Sequence, residues 1–393
     1  MGQADGSRVL AIVGTRPEVI KMAPVVHELA RTDRAEVLLC ATSQHRDLLD
    51  QALRHFDLAA DVDLDLMRPG QTPQDVTRRL LDELPPAIAR LQPDWVLVQG
   101  DTTSAMASAL AAHHQGVAVA HVEAGLRSGD LTSPWPEEMN RRVVGHLATL
   151  HFAPTPLARQ HLLDEGVPTE RIHVTGNPVI DALLWTLKGM DEDPALLGQM
   201  QQRFDFLDPQ RRLILATMHR RESHGAPLAR VCGALKQLSQ RLDVQVVCCV
   251  HPNPAVRRVV DDVLAPCPDV HCLEPLDYLS FVHLMRQSWL IVTDSGGMQE
   301  EAPTLGKPVL VVRDTTERPE GVQAGTAQLV GTDPKRILAA ATQLLDSTDA
   351  YLTVSQTHNP YGDGQAARRI ASALLTSPEE IPAIAGSPHG GDA

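Results

Sequence analysis

Three carboxylates in the first half of the chain stand where an apolar, strand-like run gives way to a turn or a helix. Asp101 follows Trp95–Gln99 in Gln99-Gly100-Asp101-Thr102-Thr103, and Glu123 follows Val117–Val122 in His121-Val122-Glu123-Ala124-Gly125-Leu126-Arg127. Glu137 opens a helical pattern in Ser133-Pro134-Trp135-Pro136-Glu137-Glu138-Met139-Asn140-Arg141. Taken singly, each has a structural explanation. Asp101 can cap a helix, and Glu137 suits a helix dipole with Arg141 as its i,i+4 partner. Three carboxylates at the carboxyl edge of one sheet fit acid–base chemistry, or a grip on sugar hydroxyls, better than three separate caps.

Cations and turns of the kind that meet phosphates accompany them. The first loop, Gly14-Thr15-Arg16-Pro17-Glu18, followed by Lys21, holds a single glycine, so it is neither a dinucleotide fingerprint nor a P-loop. Arg16 and Lys21 either offer positive charge to a phosphate or sugar oxygen or form a solvated helix start. Later, Trp289–Val292 runs through Thr293 and Asp294 into Ser295-Gly296-Gly297 and then a helical pattern. Unsubstituted glycines let backbone N–H groups approach a diphosphate. Glu301, about one and a half turns further on, can reach ribose hydroxyls. His219-Arg220-Arg221 follows the run Leu213–Thr217, and His251 follows Val244–Val250. His219 beside two arginines fits a phosphate or leaving-group contact.

The elements that must position these groups alternate regularly. Nearly continuous apolar runs separated by helical patterns predict parallel sheets covered on both faces. The alternation breaks between Lys188 and Arg212 and then restarts. The expected fold class is therefore α/β, with two Rossmann-like domains and a ligand cleft between them. We expect domains at 1–185 and 186–358, and a disordered Pro-, Gly- and Ala-rich tail at 377–393. With 393 residues the chain is long enough for more than one core. A net charge of -14 disfavours nucleic acid or an anionic membrane as the main partner. No uninterrupted apolar stretch suggests a membrane span, and the polar N-terminus does not resemble a signal peptide. The 6 cysteines show no CxxC pair or zinc-ligand rhythm, which predicts reduced thiols in a cytoplasmic protein with no metal.

The segments GTRPEVIKMAP, QHRDLLDQ, GDTTS, HVEAGLRSGD, SPWPEEMNRR, HRRES, TDSGGMQEEAPTLGKPVL, RDTTERPEG and HNPYGDG occur in that order from Gly14 to about Leu375. In this the chain resembles the bacterial non-hydrolysing UDP-N-acetylglucosamine 2-epimerases. The resemblance implies a GT-B arrangement whose C-terminal helix, about 359–375 here, packs back onto the first domain. It implies reversible epimerisation of UDP-N-acetylglucosamine at carbon 2 to UDP-N-acetylmannosamine, by anti elimination of UDP and syn re-addition through 2-acetamidoglucal. No cofactor is implied.

The same resemblance gives Asp101, Glu123 and Glu137 as acid–base candidates and ties His219 to leaving-group departure. Arg16, Lys21, Ser295, Gly296, Gly297, Glu301 and Arg318 match UDP-sugar contacts, and Phe281 falls where uracil is held, through backbone atoms. Gln44, Gln71, Arg220 and His251 match a second, activating UDP-N-acetylglucosamine pocket, from which Asp47 and Gly70 depart. The expected partner is a UDP-sugar, and the expected assembly a homodimer. A hydrolysing epimerase and a GT-B glycosyltransferase are the alternatives, told apart by product and by an acceptor groove.

Overall fold

A computed structural model describes residues 6–42, 46–66, 68, 70–218 and 225–376. The chain forms two compact units, one built from residues up to Ala182 together with the segment from Gly362 onward, the other from Leu183–Tyr361. The first unit holds strands β1 (Ser7–Val13), β2 (Ala35–Ala41), β3 (Val62–Asp63), β4 (Trp95–Gln99), β5 (Ala118–Val122), β6 (Leu150–Ala153) and β7 (Ile172–Val174). The second holds β8 (Arg212–Met218), β9 (Val244–Val250), β10 (Val270–Leu273), β11 (Ser288–Thr293), β12 (Val309–Val311) and β13 (Ala327–Leu329).

Both sheets are parallel, ordered β3-β2-β1-β4-β5-β6-β7 and β10-β9-β8-β11-β12-β13. Every residue of β4 and β5 is buried, as strands covered on both faces require. Each sheet grows outward in both directions from a central pair, β1/β4 or β8/β11. At such a switch point the loops leaving the carboxyl ends of the central strands diverge and open a crevice, where sheets of this type bind ligands. The expected α/β fold class is the observed one.

Helices Pro73–Leu91 and Thr103–His114 cover one face of the first sheet, burying Leu80, Leu84, Met106 and Ala109 against Val96 and Val98. Helix Ala366–Thr376 lies against helix Arg16–Ala30. Arg34 Nη2 donates to the Leu375 carbonyl at 2.7 Å. The Asp181 carboxylate accepts from Ala366 N at 3.2 Å and Ala367 N at 2.9 Å, capping that last helix. Gly125, at φ +89°, passes so near the Ala158 carbonyl that a Cβ would sit 2.1 Å from its oxygen, which explains the glycine in HVEAGLR. Among the described residues no helix is long and apolar enough to cross a membrane.

Some boundaries differ from expectation. The helical pattern that Glu137 opens ends at Leu147, because Ala148 turns extended and Thr149 N donates to Val119 O at 2.7 Å, leading into β6. The last helix begins at Ala366, not near Asn359. Asn359 Oδ1 instead accepts from Tyr361 N at 3.0 Å, and Gly362 and Gly364 take positive φ. The charged stretch after Lys188 is helical, in Pro178–Glu192 and Pro194–Arg203. The tail expected at 377–393 lies outside the described residues.

Candidate active site

In the first unit the switch-point loops bring together the predicted residues that follow β1, β4 and β5. Helix Arg16–Ala30 opens directly after β1, with Arg16 half-buried at its first position and Lys21 one turn further. The Lys21 ammonium pairs with Glu123 Oε2, and Gln99 Nε2 donates to the same oxygen at 2.6 Å. Glu123 is only 7% exposed and its backbone stands at φ +64°. Among the described residues the other non-glycine positions with positive φ, Asp57, Asp65 and Gln92, are all exposed. A buried carboxylate in this sparsely populated conformation costs about 1–3 kcal/mol, and such strain concentrates at functional sites.

Asp101 does not cap its helix. Thr102 does, its hydroxyl accepting from Ala105 N at 3.0 Å. Asp101 instead pairs through Oδ2 with Arg141 Nη2, and its carbonyl accepts from Asn140 Nδ2 at 2.9 Å. Arg141 therefore turns to Asp101, and to Glu138 at 3.2 Å, rather than serving Glu137 as an i,i+4 partner. Glu138 is fully buried and also accepts from Ser128 N at 3.0 Å, holding the loop before Glu137. Glu137 itself, half-buried, is the first residue of helix Glu137–Leu147.

Sequence reasoning missed Glu18. It is 2% exposed, and burial pushes its carboxyl above the usual range. Its Oε2 accepts from Gly14 N at 2.9 Å and Thr15 N at 2.6 Å, while Oε1 accepts from Thr102 Oγ1 at 2.6 Å. The signal was present as Thr15-x-x-Glu18, a capping-box pattern. His121, between the Glu123 and Asp101 loops, reaches Gly100 O through Nε2 at 2.8 Å, and burial pushes its pKa down to about 4.

In the second unit β11 delivers Ser295, Gly296 and Gly297 to the start of the short helix Gly296–Glu301. Ser295 N donates to Thr293 Oγ1 at 2.9 Å. Arg318 Nε donates to Glu300 Oε1 at 2.7 Å, and its guanidinium lies over Gly296, where a Cβ would come within 3.2 Å of Cζ. The absence of a side chain at Gly296 thus makes room for Arg318. Glu301 is 7% exposed and accepts at Oε1 from Tyr278 Oη at 2.7 Å. Phe281 is half-buried on helix Tyr278–Gln287, and its own N–H is engaged with Asp277 O at 3.0 Å. The HNPYGDG segment supports this group. Asn359 Nδ2 donates to Glu300 O at 2.7 Å, and the buried Tyr361 Oη donates to Arg318 O at 3.0 Å.

His219, Arg220 and Gln44 lie outside the described residues. Gln71 is half-buried, with Oε1 accepting from Arg68 N at 3.1 Å, and His251 is exposed, with Nδ1 accepting from Asn253 N at 3.2 Å. Among the described residues no group of three or more His, Cys, Asp or Glu could hold a metal ion.

The sequence model of the UDP-N-acetylglucosamine 2-epimerase family matches residues 27–375. A UDP-N-acetylglucosamine 2-epimerase of Escherichia coli strain K12 is 52% identical over 368 residues, 93% of this chain and 98% of that protein. The crystal structure of the UDP-GlcNAc 2-epimerase from Neisseria meningitidis bound to UDP-GlcNAc matches with a TM-score of 0.90 at 45% identity, covering 94% of this chain and 100% of that one. The Methanocaldococcus jannaschii UDP-GlcNAc 2-epimerase, in complex with UDP-GlcNAc and UDP, matches with a TM-score of 0.81 at 30% identity, covering 94% and 99%. With carboxylates at one switch point, a Ser-Gly-Gly turn at the other and relatives of this closeness over nearly its whole length, the chain belongs to the UDP-N-acetylglucosamine 2-epimerase family.

Proposed function

We propose that the chain interconverts UDP-N-acetylglucosamine and UDP-N-acetylmannosamine without releasing free sugar, by eliminating UDP and adding it back. The hydrogen on carbon 2 is not acidic in the intact substrate, because no carbonyl is adjacent. Loss of UDP from carbon 1 makes it so. Anti elimination then gives 2-acetamidoglucal, and syn re-addition delivers a proton to the opposite face of carbon 2 with UDP returning to carbon 1. The observation that carries this reading is Glu123, a buried carboxylate in a strained backbone, with Lys21 and Gln99 both on one oxygen. Such a group is fixed in direction, as proton transfer at a defined carbon requires.

In this reading Asp101, Glu123 and Glu137 supply the acid and base functions, and Arg16 and Lys21 serve the sugar side. His219 assists departure of the diphosphate. Ser295, Gly296, Gly297 and Arg318 hold the diphosphate, Glu301 the ribose and Phe281 the uracil. The first unit is then the sugar and acid–base side, the second the UDP side, and the active assembly a cytoplasmic homodimer. The free state of all six cysteines, four of them buried, agrees with a reducing compartment.

The test is incubation with UDP-N-acetylglucosamine in deuterated water, followed by proton and phosphorus NMR. UDP-N-acetylmannosamine carrying deuterium at carbon 2 is expected. Retention of protium there would rule out the elimination route, and free UDP with free N-acetylmannosamine would make the enzyme a hydrolysing one.

A further inference from the structure

We propose that Tyr278 is a positioning residue for the nucleotide: its hydroxyl holds one oxygen of Glu301 so that the other meets the ribose diol. This rests on the reading of Glu301 as the ribose ligand. Tyr278 is the first residue of helix Tyr278–Gln287 and only 7% exposed. Its Oη donates to Glu301 Oε1 at 2.7 Å. Glu301 Oε2 lies 3.5 Å from where a Cβ on Gly297 would stand. The carboxylate thus lies between a phenol at one oxygen and the Gly296–Gly297 turn at the other.

Packing alone would be satisfied by phenylalanine, so the hydroxyl needs its own reason. A buried glutamate has three rotatable bonds, and a diol gains most from an acceptor whose orientation is settled before binding. Burial and the neighbouring Glu301 charge push the Tyr278 hydroxyl well above its ordinary pKa. It therefore stays protonated and donates to the carboxylate at any pH the protein meets. Tyr278 is itself anchored, because Asp277 caps its helix. Asp277 accepts from Ser280 N at 2.8 Å and from Arg203 Nη1 at 2.7 Å. These contacts all lie within the second unit.

The test compares the affinities of UDP and 2′,3′-dideoxy-UDP by calorimetry for the full-length protein, Tyr278→Phe and Glu301→Ala. The native protein should prefer UDP by about tenfold or more, the range of a hydrogen bond to a charged group. Glu301→Ala should bring that ratio close to one. Tyr278→Phe should cut it at least threefold while leaving dideoxy-UDP affinity within about twofold of native. A native ratio in Tyr278→Phe alongside a collapsed ratio in Glu301→Ala overturns the role of Tyr278 alone. Equal weakening of both ligands by Tyr278→Phe also overturns it, by reducing the residue to general support. A native ratio in Glu301→Ala removes the ribose reading of Glu301 itself.

Discussion

Thr102 donates its hydroxyl to Glu18 Oε1 at 2.6 Å, and through that bond the turn after β1 is tied to the turn after β4. The other Glu18 oxygen takes the Gly14 and Thr15 amides, so one buried side chain sets the spacing between Arg16 and Asp101. Glu18→Ala leaves three donors without their acceptor and should cost about 2–4 kcal/mol of stability, with turnover falling in parallel. Glu18→Gln keeps one carbonyl oxygen and should cost less. Urea unfolding and steady-state rates check both. Native stability in Glu18→Ala would mean the turns hold themselves.

The carboxylates give a separate prediction. Asp101→Asn, Glu123→Gln and Glu137→Gln preserve shape but remove the proton acceptor, and each should lower turnover by about a hundredfold or more. UDP affinity should survive in all three, since the nucleotide contacts are assigned to the second unit. Near-native turnover in every variant would send the acid–base assignment elsewhere.

Stability should also depend on pH through two buried imidazoles. His121 on β5 and His151 on β6 are register partners, each 1% exposed. Burial pushes them down to about 4 and about 3. A depressed histidine contributes stability that is fully present above its unfolded pKa of about 6.5 and is lost as pH falls toward the folded value. Asp181, pushed up to about 6 by burial, has the opposite sign: its contribution is present below about 3.9 and lost as pH rises through 6. Between pH 6 and 4 the two kinds of group oppose one another. His151→Leu should flatten the acid decline by about 1.4 kcal/mol per pH unit, and Asp181→Asn should steepen it. Urea midpoints at several pH values read both slopes, and parallel curves for native protein and His151→Leu would refute the burial argument.

Regulation can be tested with the reverse reaction. Gln44, Gln71, Arg220 and His251 are proposed to form a second UDP-N-acetylglucosamine pocket, with Gly70 lacking a side chain that could contact the activator's diphosphate. With UDP-N-acetylmannosamine as sole substrate, turnover should start with a lag that a trace of UDP-N-acetylglucosamine shortens only modestly. Gln44→Ala combined with Gln71→Ala should abolish that response and leave UDP affinity intact. Immediate turnover of rigorously purified UDP-N-acetylmannosamine would end this proposal without touching the chemistry.

The strands that carry the site were legible because a parallel strand covered on both faces is a nearly continuous apolar run, as in Trp95–Gln99 and Val244–Val250. The carboxylates were legible because the ends of such runs are where chemistry collects. Partner choice was not. Local spacing offers Arg141 to Glu137, but the fold gives it to Asp101, 40 positions away, and gives Lys21 to Glu123, 102 positions away. Spacing rules act within one helix, whereas these pairs exist only once the strands are side by side. Strands of two or three residues, such as β3 and β13, are too short to show any period.

The discontinuity of the first unit bears on how the protein is made. Helix Arg16–Ala30 leaves the ribosome long before its neighbour, helix Ala366–Thr376. Ile370, Leu374 and Leu375 are buried in the finished unit, so the surface they cover stays bare while the whole second unit is translated. At roughly 5–20 residues per second, that interval is on the order of ten seconds or more. The second unit, being continuous, can close first. A chain cut short after Tyr361 would therefore present a folded second unit and a first unit still open to chaperones and proteases.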